Sequence, residues 1–226
     1  ITPIQFCEKY CQYVDEGYTD VIHVPINRSG SSTYNNAVMA QGMLREERPE
    51  HHLNIHLLDP HTYSMVFGWY LCEMARKLQN GAELRHVISE FETQMNKMEI
   101  ILGPYSLKQM KKSGRISAAA AVMGELMGIR PIITLIDGKT RVESKVRGDD
   151  KVIPAIIDLC KKRTEGVEDF DYMIGHTSIP QAAELEKACR KAFGKAPLTT
   201  FNLGGVVSAN TGPDTLALVY VGKARD

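Results

Sequence analysis

Apolar and polar positions follow two rhythms along this chain. Between 20 and 44, the branched run Val21, Ile22, Val24 and Ile26 predicts a buried strand, 29–32 supply turn residues, and Tyr34, Ala37, Val38, Gln41 and Leu44 recur at helical spacing. The reading is strand, tight loop, helix. Upstream, Thr2 can cap a helix with Pro3 in its first position, and an amphipathic pattern runs on to Gly17. Downstream come an apolar run at 52–58, a turn at Asp59 and Pro60, and a helical pattern at 62–78 closed by Asn80 and Gly81. Strands alternating with helices call for a parallel, layered sheet.

Asn80 and Gly81 set the expected domain boundary, because the helical pattern that follows, 82–98, is more strongly charged. The order then changes. A short strand at 99–102 and a helical turn at 106–112 lead into an alanine-rich helix at 117–127. Strands at 130–136 and 140–146 are joined by Asp137 and Gly138, the strongest short hairpin signal in the chain. A helix at 149–164, a strand at 172–175 and a helix at 179–193 follow. The end reads as strands broken by Gly204, Gly205 and a turn at 210–214. A hairpin among βα units implies a mixed sheet. The expected fold class is α/β, with an N-terminal α/β domain over 1–81 and a C-terminal α+β domain with a mixed sheet over 82–226.

Lysine plus arginine and aspartate plus glutamate both number 27 in 226 residues, so no global field draws the chain to nucleic acid or an anionic membrane. No run approaches the ~18 apolar residues of a membrane span, and the N-terminus has no basic region before an apolar block. A soluble, cytoplasmic protein is expected. The five cysteines are odd in number and scattered through helical patterns, which fits reduced thiols. Cys7 and Cys11 share a helix face, but without a CxxC or clustered histidines they read as small core thiols, with no metal.

Candidate chemistry concentrates in loops at 29–33, 59–64, 113–117, 144–147 and 210–215, which are rich in hydroxyls, glycine and a few basic groups. They are poor in histidine and paired carboxylates, a mix that binds anions better than it runs acid and base chemistry. The loop 29–33 sits where open α/β sheets place ligands, and the free N–H groups of the following helix can hold an anion. Ser31 and Ser32 can equally be plain helix caps. The histidines read as structural or exposed, Asp59 as a turn or cap residue. No serine has the GxSxG setting of a nucleophile, and the glycines and lysine of a phosphate-binding Walker loop are absent. The residues display no enzyme and call for no cofactor. An alternative is a phosphate-handling enzyme using the SGSST loop with Arg115 or Arg147.

These loops resemble, in order, the motifs of a known family. VIHVPINRSGSSTYNNA is similar to its "iSS-x-x-SGTyqsA" element, LLDPHTYSMVFG to "viDS…S…G", LKQMKKSGRIS to "L-x-L-x-x-GGRI", GIRPIITLIDGKTRVESKVRG to "ikPil…dG…kvR", and GGVVSANTGPDTLALVY to "G-x-v-x-x-HTGPGtlgl". The chain is identified as a member of the DegV family of bacterial fatty-acid-binding proteins, which includes the FakB subunits of fatty acid kinase. The resemblance covers essentially the whole chain and implies a long-chain fatty acid lying between two α/β domains. It implies a non-catalytic subunit that presents the acyl carboxyl group to a separate kinase. By position, Ser31 and Thr33 match the serine and threonine of SGT, Ser32 replaces its glycine, and Asn210 stands where the histidine of HTGPG is usual. Arg115 and Arg147 match arginines whose implied task is the kinase partner or a phosphate. Pro60 replaces a serine and Asp214 a glycine, which brings a carboxylate towards the acid site, while Asn210 can donate a hydrogen bond but carries no charge. The family's first βα unit precedes the position of Ile1, so an N-terminally shortened form with an incomplete first domain is expected.

Overall fold

The computed structural model describes residues 1–114 and 128–224. The alanine-rich helix expected at 117–127, and Arg115, lie outside the described residues. The chain divides into two compact units, Ile1–Tyr63 and Ser64–Asp226.

In the first unit, α1 (Pro3–Asp15) starts with a full capping box. Thr2 Oγ1 accepts from the Gln5 backbone N–H at 3.3 Å, and Gln5 Oε1 accepts from the Thr2 N–H at 2.9 Å, so two otherwise orphaned donors are satisfied within one turn. The helix buries Phe6, Cys7 and Tyr10 against α2 (Thr33–Glu47), whose Ala37 and Ala40 let the two backbones approach and whose Leu44 completes the cluster. Between the helices in sequence lies β1 (Asp20–His23), and after α2 comes β2 (Asn54–Leu57). The strands pair in parallel, Val21 opposite Ile55 and His23 opposite Leu57, so strand, helix and strand form a βαβ unit. Val24 and Ile26 lie beyond the strand, and β1 is half-buried rather than fully buried.

His23 faces this small core. Its Nδ1 lies 2.6 Å from Tyr10 Oη, and its ring stands edge-on to Phe6 at 4.8 Å between centroids. Burial holds its pKa below the ordinary histidine value.

In the second unit, α3 (Met65–Gln79) and α4 (Leu84–Met95) form a helical hairpin. Gly81, with φ of 85°, provides the left-handed turn between them, and Lys77 Nζ meets Glu90 Oε2 at 2.6 Å across the pair. The boundary expected after Gly81 therefore falls between two paired helices inside this unit. Then come β3 (Met98–Pro104), α5 (Lys108–Ser113), β4 (Ile129–Ile136), β5 (Lys139–Arg147), α6 (Val152–Arg163), β6 (Tyr172–His176), α7 (Gln181–Phe193), β7 (Thr200–Asn202), α8 (Gly204–Thr211) and β8 (Thr215–Val221). The strands form a six-stranded sheet in the order β5-β4-β3-β8-β6-β7. Among the described residues of this sheet, only β6 and β7 pair in parallel and the other pairs are antiparallel, so the sheet is mixed. Asp137 and Gly138 turn the β4–β5 hairpin with φ of 49° and 71°.

The central strands β3 and β8 are buried almost throughout, and α6 and α7 cover one face through Val152, Ile156, Cys160, Leu185 and Cys189. Gly103 makes this packing possible, because a Cβ there would stand 2.6 Å from Ile156 Cδ1 and 2.7 Å from Val152 Cγ1. Glu99, on β3, is held by Arg163 Nη2 at 3.0 Å and by Tyr220 Oη at 2.6 Å, so its buried carboxylate has a cation. The expected run of strands at the end is corrected by α8, which takes up 204–211 instead. Asn202 Oδ1 accepts from the Gly204 N–H at 2.9 Å, and the left-handed Gly204 turns the chain out of β7 into the helix. Among the described residues, no helix is long and apolar enough to cross a membrane.

One pH dependence follows from His23. Its folded pKa is depressed, so the unfolded chain takes up the proton first as pH falls, and stability is lost below the unfolded value of about 6.5. Protection factors of the α1 and α2 amides, taken relative to intrinsic exchange at each pH, should fall between pH 7 and 5, and His23→Asn should flatten that change.

Candidate functional site

The hydroxyl loop is built by the two segments that leave the carboxyl ends of β1 and β2. Asn27, 1% exposed, ties them together, since its backbone N–H donates to the Thr62 carbonyl at 3.1 Å. Its side-chain Oδ1 accepts from both the N–H and the Oγ of Ser29 at 2.8 Å, and its carbonyl accepts from the Gly30 N–H at 3.1 Å. Because a backbone N–H must find Oδ1, the orientation of the amide is fixed and Nδ2 points the other way. That Nδ2, together with Thr62 Oγ1 and Asp59 Oδ2, is buried without a hydrogen-bond partner. Orphaned polar atoms of this kind cost about 1–3 kcal/mol each when nothing meets them.

Asp59 orders the second loop. Its Oδ1 accepts from the His61 N–H at 2.9 Å and the Arg28 N–H at 3.4 Å, while Arg28 Nε and His61 Nδ1 both lie 3.9 Å from Oδ2. The Arg28 guanidinium lies over the Tyr34 ring at 5.5 Å, which keeps a cation at the mouth of the loop. Gly30 makes room for its neighbour, because a Cβ there would fall 1.8 Å from Tyr63 Oη and the tyrosine side chain would have to move.

Of the expected site residues, Ser31 and Thr33 come together, with their hydroxyls 2.7 Å apart and the Thr33 N–H donating to Ser31 Oγ at 3.2 Å. Ser32 occupies the cap position of α2 but makes no side-chain cap bond, and it is exposed. The start of α2 therefore carries a hydroxyl pair instead of a serine cap. In the second unit, Asn210 lies in the last turn of α8, and its Nδ2 donates back to the Val206 carbonyl at 2.9 Å. Ser113 Oγ donates to the Asn210 carbonyl at 3.2 Å and Gln109 Nε2 to the Ala209 carbonyl at 2.6 Å, so α5 adjoins the last turn of α8. Asp214 is exposed, and its carbonyl accepts from the Tyr105 N–H at 2.8 Å. Arg147 closes β5 opposite Ile129, with its side chain exposed.

Asn27, Thr62 and Tyr63 are the residues that the sequence reading missed. Nothing local marks them, since each matters through a contact about 30 positions away. Among the remaining histidines, His56 meets Asp20 at 2.8 Å, His86 meets Glu90 at 3.4 Å, and the rings of His51 and His176 accept from the Leu53 and Ser178 N–H groups at 3.1 and 2.9 Å. A separate groove of about 490 Å³ runs along α3 and α4, lined by Trp69, Tyr70, Met74 and Phe91 and rimmed by Glu73 and Glu90.

A family model described as "Uncharacterised protein, DegV family" matches residues 1–223. A DegV domain-containing protein of Staphylococcus aureus is 28% identical over 224 residues, which is 97% of this chain and 75% of that protein. A stearic-acid-binding protein from Eubacterium ventriosum superposes with a TM-score of 0.86 at 21% identity, over 98% of this chain and 76% of that one. A fatty-acid-binding DegV family protein from Streptococcus agalactiae does so with a TM-score of 0.82 at 25% identity, over 98% and 77%. The mixed sheet, the small parallel sheet and a family match over nearly every residue agree: the chain belongs to the DegV family.

Proposed function

We propose that this DegV protein binds a long-chain fatty acid, with the carboxylate received at the start of α2 by the Ser31, Ser32 and Thr33 loop, and that Asn210 contributes a donor. The acid is then presented to a separate, FakB-type partner kinase, so the chain itself does no chemistry and needs no cofactor. Arg115 and Arg147 serve the partner or the phosphoryl group. The observation that supports this best is the loop pair itself, where a buried Asn27 Nδ2 donor and the Thr62 hydroxyl stand unmatched in the same two loops as the Ser31–Thr33 pair. A ligand with two acceptor oxygens suits such donors, and the helix start adds partial positive charge. The fatty-acid reading is favoured over phosphate handling because the solved relatives are described as binding fatty acids.

Magnitudes divide the work. Burying the chain of a common fatty acid is worth roughly 10 kcal/mol gross at about 0.8 kcal/mol per methylene, against about 1.5–3 kcal/mol for a hydrogen bond to a charged head group. The tail sets affinity, and the loop selects the acid.

Incubated with stearate and examined by native mass spectrometry, the protein should carry one fatty acid per chain; no adduct at any loading would refute the reading. Ser31→Ala should weaken stearate binding by about tenfold or more, while octadecanol, which lacks the carboxylate, should bind the variant and the parent alike. Equal stearate affinity would remove Ser31 from the site. Arg147→Glu should leave stearate binding unchanged yet slow acyl phosphorylation by an added fatty acid kinase. Loss of both together would place Arg147 in folding or in the lipid site.

A further inference from the structure

The opposite end of α2 holds a second constellation that the lipid reading does not use. Cys7 and Cys11 stand one helical turn apart on α1, and Glu47 is the last residue of α2. Cys7 Sγ donates to Glu47 Oε2 at 3.2 Å and Cys11 Sγ donates to the same oxygen at 3.4 Å. One ligand atom from each of the three residues lies within 4.8 Å of the others. Sequence spacing shows only the cysteine pair, because Glu47 arrives through the packing of α1 on α2.

We propose that Cys7, Cys11 and Glu47 form a binding site for one thiophilic divalent cation of the zinc class, with its fourth position open to solvent.

Geometry, access and charge each support the site. Tetrahedral zinc with bonds of about 2.3 Å to sulfur and 2.0–2.2 Å to oxygen spaces its ligand atoms about 3.4–3.8 Å apart. The two thiols already stand within a few tenths of an ångström of that spacing from the carboxylate oxygen. Cys7 is 2% exposed, Cys11 is half-buried and Glu47 is exposed, so the ion enters from the Glu47 side and the buried sulfur forms the floor. Two thiolates, a carboxylate and a divalent ion leave one net negative charge. Arg48, the residue after Glu47, adds a positive charge beside it, which it shares with Asp15 at 3.8 Å. Soft sulfur donors exclude magnesium and calcium in favour of zinc, cadmium or cobalt. In the metal-free state both thiols donate to Glu47 Oε2, so each carries its proton. Binding therefore balances as one ion in and two thiol protons out to solvent.

Titration of the reduced, metal-free full chain with Co²⁺ tests this. One ion per chain should bind with a thiolate-to-cobalt charge-transfer band and the visible bands of tetrahedral cobalt, with release of two protons and displacement by Zn²⁺. Outer-sphere partners of metal sites are already worth about 10–100-fold in affinity, so Cys11→Ser and Glu47→Gln, both on the open side, should each weaken binding by at least about tenfold. Their far-ultraviolet dichroism without metal should match the parent. Cys72→Ser, at an exposed thiol on α3, should bind as the parent does. Absence of the charge-transfer band, equal binding in Cys11→Ser and Glu47→Gln, or loss in Cys72→Ser would overturn the proposal.

Discussion

The candidate site depends on one hydrogen bond, from the backbone N–H of Asn27 to the carbonyl of Thr62. The parallel sheet beneath it has two strands of four residues each, too short a ladder to fix the loops that leave it. Position has to come from the loops themselves. Asn27 uses its N–H on the second loop and its carbonyl and Oδ1 on the first, so three of its polar groups hold backbone and only Nδ2 is left. Tyr63 then closes on Gly30 so tightly that no other residue fits there without a shift. The Ser31 and Thr33 hydroxyls inherit their places from this clamp.

Where a signal was local, the sequence was readable. Thr2, Pro3 and Gln5 lie within one turn and specify the start of α1, and Asp137 with Gly138 specifies a hairpin because both must take positive φ. Where distant groups decide, it was not. Val206 and Val207 read as strand, yet 204–211 is helix, since Asn202 caps the turn into it and Gln109 and Ser113 from α5 hold its last carbonyls. That is tertiary contact overriding propensity. Asn27 looks like any turn asparagine, and its burial follows only from the approach of 62. Asn80 and Gly81 read as a boundary because the helix after them is more strongly charged, although the Lys77–Glu90 ion pair joins the helices on either side.

The local charge around the loops runs against the simplest picture of an anion site. Asp59 is nearly buried at the end of β2, where its negative charge opposes a carboxylate. Its Oδ1 is engaged by two backbone N–H groups, while Oδ2 has no hydrogen bond and only the Arg28 guanidinium and the His61 ring at 3.9 Å, so one oxygen orders the loop. Removing that carboxylate would release both N–H groups and loosen the loop along with the repulsion. On the proposed reading, the arrangement trades some attraction for an acid against a fixed position of the donors.

That trade is affordable only if the head group is not the main source of affinity. For a ligand with a long aliphatic chain it need not be, because a dozen buried methylenes at about 0.8 kcal/mol each outweigh any pair of hydrogen bonds at a polar end. In the proposed site the loop then supplies discrimination, which needs rigid donors more than strong ones, since a movable hydroxyl adapts to an ester or alcohol as readily as to an acid. The buried Asn27, the Gly30–Tyr63 contact and the Asp59 turn all act in that direction.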